Sequence, residues 1–422
     1  MKIQTITPFA WVGKLSKQLK VAYKEMIFIK SLNTCIVDMN RGWPCKEQLD
    51  LSMPMLNCVT ADEIFDIEND YRSYAGTGGI PEAKELFAEL LEINENEIYI
   101  GGTMSSTIMF DIINEFMFWG WKDISEAWSL HLPVRFICPS PGYEKHFLIC
   151  ERFGINMIPV PIYSDGPDIE LIERLVRTDS NIRGIWCVPK YSNPTGSIYS
   201  YETIIKLVQL CIKNKNFYIF WDNAYCVHHL TDQKICIPNI LEIAKNEHVE
   251  NNIFIFTSTS KITFPGGGIS VLGSSKENIE KYTLKKMLSL KTGDKINQLR
   301  HVRFLKNIDN IYKHMDKHRK IIYPKFKLVD SILSDNFTNN EFIHWNMPQG
   351  GYFILLHLYP RTAEKVYEMC KKKGVLLTKP NSIFPNKIDV MDQLIRLAPT
   401  HPTIEELEYA INVLSNAIKL LN

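Results

Sequence analysis

A single lysine stands among small hydroxyl residues in the segment Thr257-Ser-Thr-Ser-Lys261-Ile-Thr-Phe-Pro265-Gly-Gly-Gly268, directly after an apolar run. An ammonium withdrawn from water gives up its proton more readily, and the neutral amine so formed attacks carbonyls to make a Schiff base. A solvated loop lysine would fit this segment alone equally well. Trp221-Asp222-Asn-Ala-Tyr225 also closes an apolar run. Its carboxylate could hold a protonated pyridine nitrogen and keep such a ring electron-poor, while the phenol three residues on reaches the ring from another side. A capping aspartate beside a packed tyrosine is the plain alternative. A third segment, Tyr191-Ser-Asn193-Pro194-Thr-Gly196, fixes a side-chain amide in a turn, although Asn-Pro is a common turn signal in its own right. Taken together in this chain order, the three are far more specific than any one of them.

Side chains of this kind need strand ends to hold them. Four short apolar runs, at 134–138, 185–188, 217–221 and 253–256, have the unbroken hydrophobicity of buried parallel strands, and each ends in polar, Gly or Pro residues. Amphipathic or apolar helices are expected at 83–91 and 107–119. In open α/β sheets ligands bind beyond the carboxyl ends of the strands, so the motifs stand where chemistry belongs. After Gly293 the spacing of Ile296, Leu299, Val302, Leu305, Ile308, Ile311 and Tyr312 predicts one long helix, or two joined, over 295–333. A compact α+β pattern follows: strands near 352–358, 375–378 and 394–397, a helix over 362–373 and a closing helix over 403–420. Thr403 and Glu406 have capping-box spacing just after Pro402. The expected division is a large α/β domain over 60–300 and a small domain built from 1–59 together with 301–422.

Composition narrows the functional classes. The chain has 422 residues, 48 Lys+Arg against 47 Asp+Glu and a formal net charge of +1, which gives no electrostatic footprint for nucleic acid or an anionic membrane. No stretch approaches the roughly 18 uncharged apolar residues of a membrane span, and residues 1–20 carry no apolar signal core, so the reading is a soluble, cytoplasmic protein. Ten cysteines without Cys-x-x-Cys spacing indicate neither a zinc site nor a redox pair, and they read as buried free thiols.

With these motifs the sequence resembles the fold-type I enzymes that use pyridoxal 5′-phosphate (PLP), and among them the class I aminotransferases. It looks most like the MocR-like aspartate aminotransferase group, through Gln-Leu-Asp-Leu-Ser at Gln48 to Ser52, Pro-Gly-Tyr-x-x-His at Pro141 to His146 and Asn-Gln-Leu-Arg-His at Asn297 to His301. The resemblance implies an α/β fold with a mainly parallel sheet in the large domain and a smaller α+β domain. It assigns the cofactor-bearing amine to Lys261, the partner of the ring nitrogen to Asp222, contacts to the ring oxygen to Asn193 and Tyr225, and a phosphate-binding hydroxyl to Ser258.

Tyr143 matches the aromatic that stacks on the cofactor ring. Ser105 and Ser106, in Gly101-Gly-Thr-Met-Ser-Ser, open an apolar helix whose N–H groups suit a phosphate. Tyr74 resembles a tyrosine that reaches the phosphate of a neighbouring subunit, which implies a homodimer with shared active sites. Arg396, inside the apolar Leu394-Ile-Arg-Leu, matches the arginine that grips the substrate α-carboxylate, with Asn193 beside it; an internal salt bridge is its other reading. The implied substrates are an L-amino acid, with aspartate favoured, and a 2-oxo acid, with 2-oxoglutarate favoured. Lys291 and Lys295 are candidate readers of a side-chain carboxylate. The sequence departs from the pattern at Pro265-Gly-Gly-Gly268, where class I enzymes usually carry a phosphate-clamping arginine. Two other readings share the motifs: another PLP reaction on this scaffold, such as an aromatic or alanine aminotransferase or a β-lyase, and a non-catalytic regulatory PLP-binding protein.

Borohydride reduction of the purified protein followed by peptide mapping is expected to leave a pyridoxyl group on Lys261, and Lys261→Ala to abolish it. Label on any other lysine would refute the assignment.

Overall fold

The computed structural model describes residues 36–64, 70–337, 342–389 and 391–421. The opening stretch read for targeting signals, residues 1–20, and Cys35 lie outside them. A first short strand, β1 (Val37–Asp38), is followed along the chain by β2 (Ile98–Ile100), β3 (Arg135–Ser140), β4 (Asn156–Tyr163), β5 (Gly166–Pro167), β6 (Ile182–Cys187), β7 (Tyr218–Asp222), β8 (Ile253–Ser258) and β9 (Ser270–Ser274). The last eight form one sheet in the order β2-β9-β8-β7-β6-β3-β4-β5. All four runs expected to be parallel strands are so, in β3, β6, β7 and β8, with β4 parallel to β3 and with β2, β5 and β9 antiparallel to their neighbours.

The sheet is buried on both faces, and the two-residue pleat sorts its side chains. Ile219, Trp221, Ile253 and Ile255 face a core shared with the helices Pro81–Leu91 and Tyr201–Lys213. Phe136, Trp186, Tyr218, Phe220, Phe254 and Phe256 face the other way, onto the helices Ser105–Phe118 and Glu144–Phe153. Asp222 is in phase with Tyr218 and Phe220, so the pleat delivers its carboxylate to the aromatic side. Phe116 anchors that side, stacked between Trp121 at 5.0 Å and Trp128 at 4.5 Å, with Tyr218 also at 4.5 Å.

Two of the strands that the sequence did not suggest, β4 and β9, carry a masking feature. Strand β4 contains Pro159 and Pro161, which lack ladder donors. They are tolerated because its outer neighbour, β5, pairs with it at only Ile162 and Tyr163. Strand β9 is a short run rich in serine, and its Gly273 lets Ile93 pack against the backbone: an added Cβ would lie 2.8 Å from Ile93 Cδ1.

After the sheet, the stretch read as one helix or two is two, Lys295–Leu305 and Ile308–Phe337. Lys306 breaks it with φ 63°, and Asn307 restarts it by accepting from Asn310 N at 3.0 Å. Strands β10 (Ile343–Trp345), β11 (Ile354–Leu358) and β13 (Leu394–Leu397) make a second, antiparallel sheet, while β12 (Val375–Leu376) pairs in parallel with β1. N-terminal residues thus complete the C-terminal unit, as its sequence suggested. The helices Ala363–Lys372 and Ile404–Lys419 and the long helix cover this sheet in one apolar core. The expected capping box at Thr403 and Glu406 is formed. Of the cysteines described, Cys236 is exposed and Cys58 half-buried, against the expectation of burial; the others are buried and all are free. Among the described residues no helix is long and apolar enough to cross a membrane.

Phe116→Ala is expected to cost about 3–5 kcal/mol of stability, because it opens a cavity between two indoles and a phenol that cannot collapse into it. Denaturant unfolding measures this, and a loss below about 1 kcal/mol, the size of an average substitution, would show that the aromatic layer is not the anchor.

Candidate active site

A cavity of about 430 Å³ lies beyond the carboxyl ends of β6, β7 and β8, between the two sheets. Asp222 and Ser258 enter it from the last positions of β7 and β8, Asn193, Tyr225 and Lys261 from the turns after β6, β7 and β8, Ser105 and Ser106 from the start of the helix Ser105–Phe118, Tyr143 from the turn after β3, and Arg396 from β13. All the sequence-derived site residues except Tyr74, Lys291 and Lys295 therefore line one space.

Asp222 is buried, and its Oδ2 accepts from His146 Nε2 at 3.0 Å. The His146 ring is held flat on Trp186, 4.4 Å away with planes 5° apart, and Tyr143 meets it edge-on at 5.1 Å. Asp222 Oδ1 is buried with no hydrogen-bond partner among the described residues. A buried, unsatisfied carboxylate oxygen is costly, so this atom is arranged for a donor that arrives with a ligand.

Lys261 Nζ lies 5.1 Å from the Tyr225 ring centroid. Desolvation pulls the amine below the usual lysine range, and the Asp222 charge opposes this without cancelling it. Burial pushes the Tyr225 phenol well up, which keeps it a neutral hydroxyl. Ser258 Oγ donates to Ser260 Oγ at 3.3 Å, and Ser260 Oγ to Thr103 O at 3.1 Å, a chain of hydroxyls along the cavity floor. The N-cap of the helix Ser105–Phe118 is Met104, whose side chain offers no acceptor; Thr107 N donates to Met104 O at 3.2 Å, and the N–H groups of Ser105 and Ser106 are left for an anion.

Arg396 is buried at 4% exposure, yet among the described residues no carboxylate pairs with it, so the internal salt bridge is not formed. Its Nε donates to Thr378 Oγ1, its Nη1 to Asn193 Oδ1 and its Nη2 to Asn40 O, each at 3.0 Å. Three of its five N–H groups are thereby used, and the remaining two sit one on each terminal nitrogen, the pair that a carboxylate binds side by side. The guanidinium lies 4.6 Å over the Phe353 ring. Phe353 in turn packs on Gly42, where an added Cβ would come within 2.6 Å of its Cζ.

Tyr74 is 75% exposed and outside the cavity of its own chain. Lys291 and Lys295 are outside it too, and Lys295 Nζ donates to Asp70 O at 3.1 Å. The cations that share the space with Lys261 and Arg396 are instead Arg41 and Lys145, to which sequence reasoning gave no role. It also missed the part played by His146, although the Pro-Gly-Tyr-x-x-His spacing carried the signal. The glycine-rich segment that lacks an arginine is held by Asn297, whose Nδ2 donates to Gly267 O at 3.1 Å and Gly268 O at 3.2 Å.

The aspartate amino-transferase family model matches residues 11–422. The chain belongs to this family. A Mycolicibacterium smegmatis protein is 42% identical over 388 residues, 91% of this chain and 90% of its own length. An aspartate aminotransferase of Corynebacterium glutamicum is 35% identical over 410 residues, 97% of this chain and 94% of its own length. The crystal structure of an aspartate transaminase from C. glutamicum superposes with a TM-score of 0.88 at 35% identity, covering 98% of this chain and 97% of that one. The chain is thus a fold-type I aminotransferase, and membership implies PLP as cofactor. The residues present fit that group: an unpartnered buried carboxylate oxygen, a desolvated amine and an uncapped helix N-terminus converge on one cavity.

Behind the lysine turn, His301 Nδ1 donates to Asn297 O at 2.8 Å, so the Nε2 of the neutral ring accepts from the hydroxyls of Thr259 at 3.1 Å and Thr263 at 2.9 Å. Burial lowers this imidazole to about 4. A base with a depressed folded-state pKa stabilises the fold at pH values above its unfolded pKa, and loses that contribution as pH falls from about 6.5 towards the folded value. The melting temperature of the cofactor-free protein is therefore expected to drop between pH 6.5 and 4, and His301→Gln to flatten the slope. An unchanged slope in that variant would show that His301 is not a source of the acid sensitivity.

Proposed function

We propose that the chain transfers an amino group from an L-amino acid, aspartate by preference, to a 2-oxo acid, 2-oxoglutarate by preference. The observation that carries this reading is the convergence on one cavity of a desolvated lysine amine, a carboxylate with one oxygen free, and an arginine with two free N–H groups. The preference for aspartate rests on the named C. glutamicum relative. When bound, PLP supplies an electron-poor ring that absorbs the electron pair released at the substrate Cα.

The chain's own residues do the rest. Lys261 Nζ, which desolvation makes easier to deprotonate, removes the Cα proton. Asp222 Oδ1 holds the ring nitrogen's proton while His146 fixes Oδ2, so the carboxylate cannot turn away. Tyr143 covers one ring face. The Asn193 amide, whose oxygen is taken by Arg396, still has its N–H groups for the ring oxygen, and Tyr225 donates to the same atom. Ser105, Ser106, Ser258 and the first-turn N–H groups hold the phosphate, with hydroxyls and backbone doing what a clamping arginine does elsewhere. Arg396 grips the α-carboxylate through its two free N–H groups and orients the Cα–H bond. We further propose a cytoplasmic homodimer in which Tyr74 of one subunit serves its neighbour's phosphate, and the division into domains at 60–300 and at 1–59 with 301–422.

Mixing the holoenzyme with single amino acids is expected to convert its visible absorbance fastest with aspartate; the absence of conversion with every amino acid would overturn the reading. In the same assay Arg396→Lys is expected to cost roughly 1.5–3 kcal/mol in kcat/KM, equally for aspartate and alanine, since both share the α-carboxylate. A loss confined to aspartate would move Arg396 to the side-chain pocket.

A further inference from the structure

The peptide on either side of the Lys261 carbonyl is gripped by side chains with no role so far, none of which lines the cavity. The helix Ile308–Phe337 presents His314 and His318, one turn apart. His314 Nε2 donates to Ile262 O at 2.8 Å, and because a carbonyl only accepts, this ring carries its proton on Nε2. His318 Nδ1 accepts from Gln48 Nε2 at 3.0 Å. The two Nε2 atoms are 3.1 Å apart, and Ile262 O also accepts from Ser52 Oγ at 3.5 Å.

The other amide hydrogen of Gln48 goes to Tyr352 Oη at 2.9 Å, which leaves the phenol proton for Lys261 O at 3.5 Å. His228 Nε2 donates to that same carbonyl at 3.3 Å. Gln48 is itself oriented by Cys45 N, which donates to its Oε1 at 3.1 Å. Gln48, His228, His314, His318 and Tyr352 are all buried. Desolvation favours the neutral form of all three imidazoles.

Two successive carbonyls thus receive four donors, Ser52 from the N-terminal segment, His314 from the long helix, His228 from the turn after β7 and Tyr352 from the C-terminal unit. A lysine whose Nζ alternates between holding the cofactor and moving a proton needs a stationary Cα, because the side chain can swing but a backbone shift of 1 Å costs up to about 10²-fold in rate. We propose that Gln48, His318, His314 and Tyr352 form a positioning device for Lys261, holding the Lys261–Ile262 backbone in place while Nζ leaves and returns during turnover. The proposal rests on the reading of Lys261 given above. It also gives the Gln-Leu-Asp-Leu-Ser segment, until now only a mark of resemblance, a physical task.

The test uses Tyr352→Phe, His314→Leu and His314→Gln. In the holoenzyme, Tyr352→Phe and His314→Leu are expected to slow the single-turnover reaction with aspartate roughly tenfold while KM moves less than about twofold. Glutamine can set its amide nitrogen near the position of the imidazole Nε2, so His314→Gln is expected to recover most of the rate. In the cofactor-free protein, hydrogen exchange of the peptide spanning 259–264 should quicken in the first two variants and not in the third. Wild-type exchange and turnover in Tyr352→Phe, or a His314→Gln variant as slow as His314→Leu, would overturn the proposal. If His314→Leu does not fold, Tyr352→Phe, which deletes one oxygen, still decides it. Exchange is read without cofactor or substrate, so inactive wild-type protein would count against the functional reading alone.

Discussion

A carboxylate out of water needs partners for both oxygens, and at Asp222 the described residues supply a hydrogen bond to one. The pleat of β7 turns this residue to the aromatic side of the sheet, where the imidazole of His146, itself clamped on Trp186, donates to Oδ2. Ring, helix and strand therefore fix a single carboxylate orientation, with no hydrogen-bond partner for Oδ1 among the described residues. The other features of the site are placed relative to that vector. The lysine turn follows β8, the neighbour of β7 on one side, and the Asn193 turn follows β6 on the other, so parallel register alone sets them a strand spacing away.

Closing the cavity falls to the second sheet. Arg396 is carried inward by β13, opposite Leu355, and spends three N–H groups on Thr378, Asn193 and Asn40. One of those bonds crosses to the turn that holds the cofactor-facing amide, so the group proposed to bind substrate is joined to one proposed to bind cofactor through a single oxygen. Phe353 and Gly42 keep the guanidinium at its height: the glycine admits the ring, and the ring supports the cation.

Much of this was legible in the sequence, for identifiable reasons. The apolar runs before Asn193, Asp222 and Lys261 are buried on both faces, so their hydrophobicity is unbroken and their ends are easily seen; a chemically distinctive residue at each end then marks the site. Strands β4 and β9 were not legible, because prolines and serines disguise segments whose neighbours excuse them. Side chains that act at second hand were equally hidden. Thr378, Gln48 and His314 have roles only because distant segments meet, and nothing in local spacing reports a partner hundreds of residues away, as Gln48 and His318 are. Lys291 and Lys295 show the converse: proximity in sequence to a site does not bring a side chain into it.

The same unfilled valences bind stability to function. An unpaired buried carboxylate oxygen, a buried guanidinium with two free donors and an uncapped helix start each cost the protein without ligand, by about 1–3 kcal/mol for a typical unsatisfied buried group. None of these costs is relieved by rearrangement, because packing holds each group: His146 for Asp222, Phe353 for Arg396, the aromatic layer for the helix Ser105–Phe118. A ligand that satisfies them is therefore bound by groups already in position, with little ordering left to do. Its binding also adds to the stability of the native state by mass action, about 4 kcal/mol at a thousandfold excess over Kd. The rigidity that makes the ligand-free site costly is what preorganises it, and the two properties cannot be changed independently.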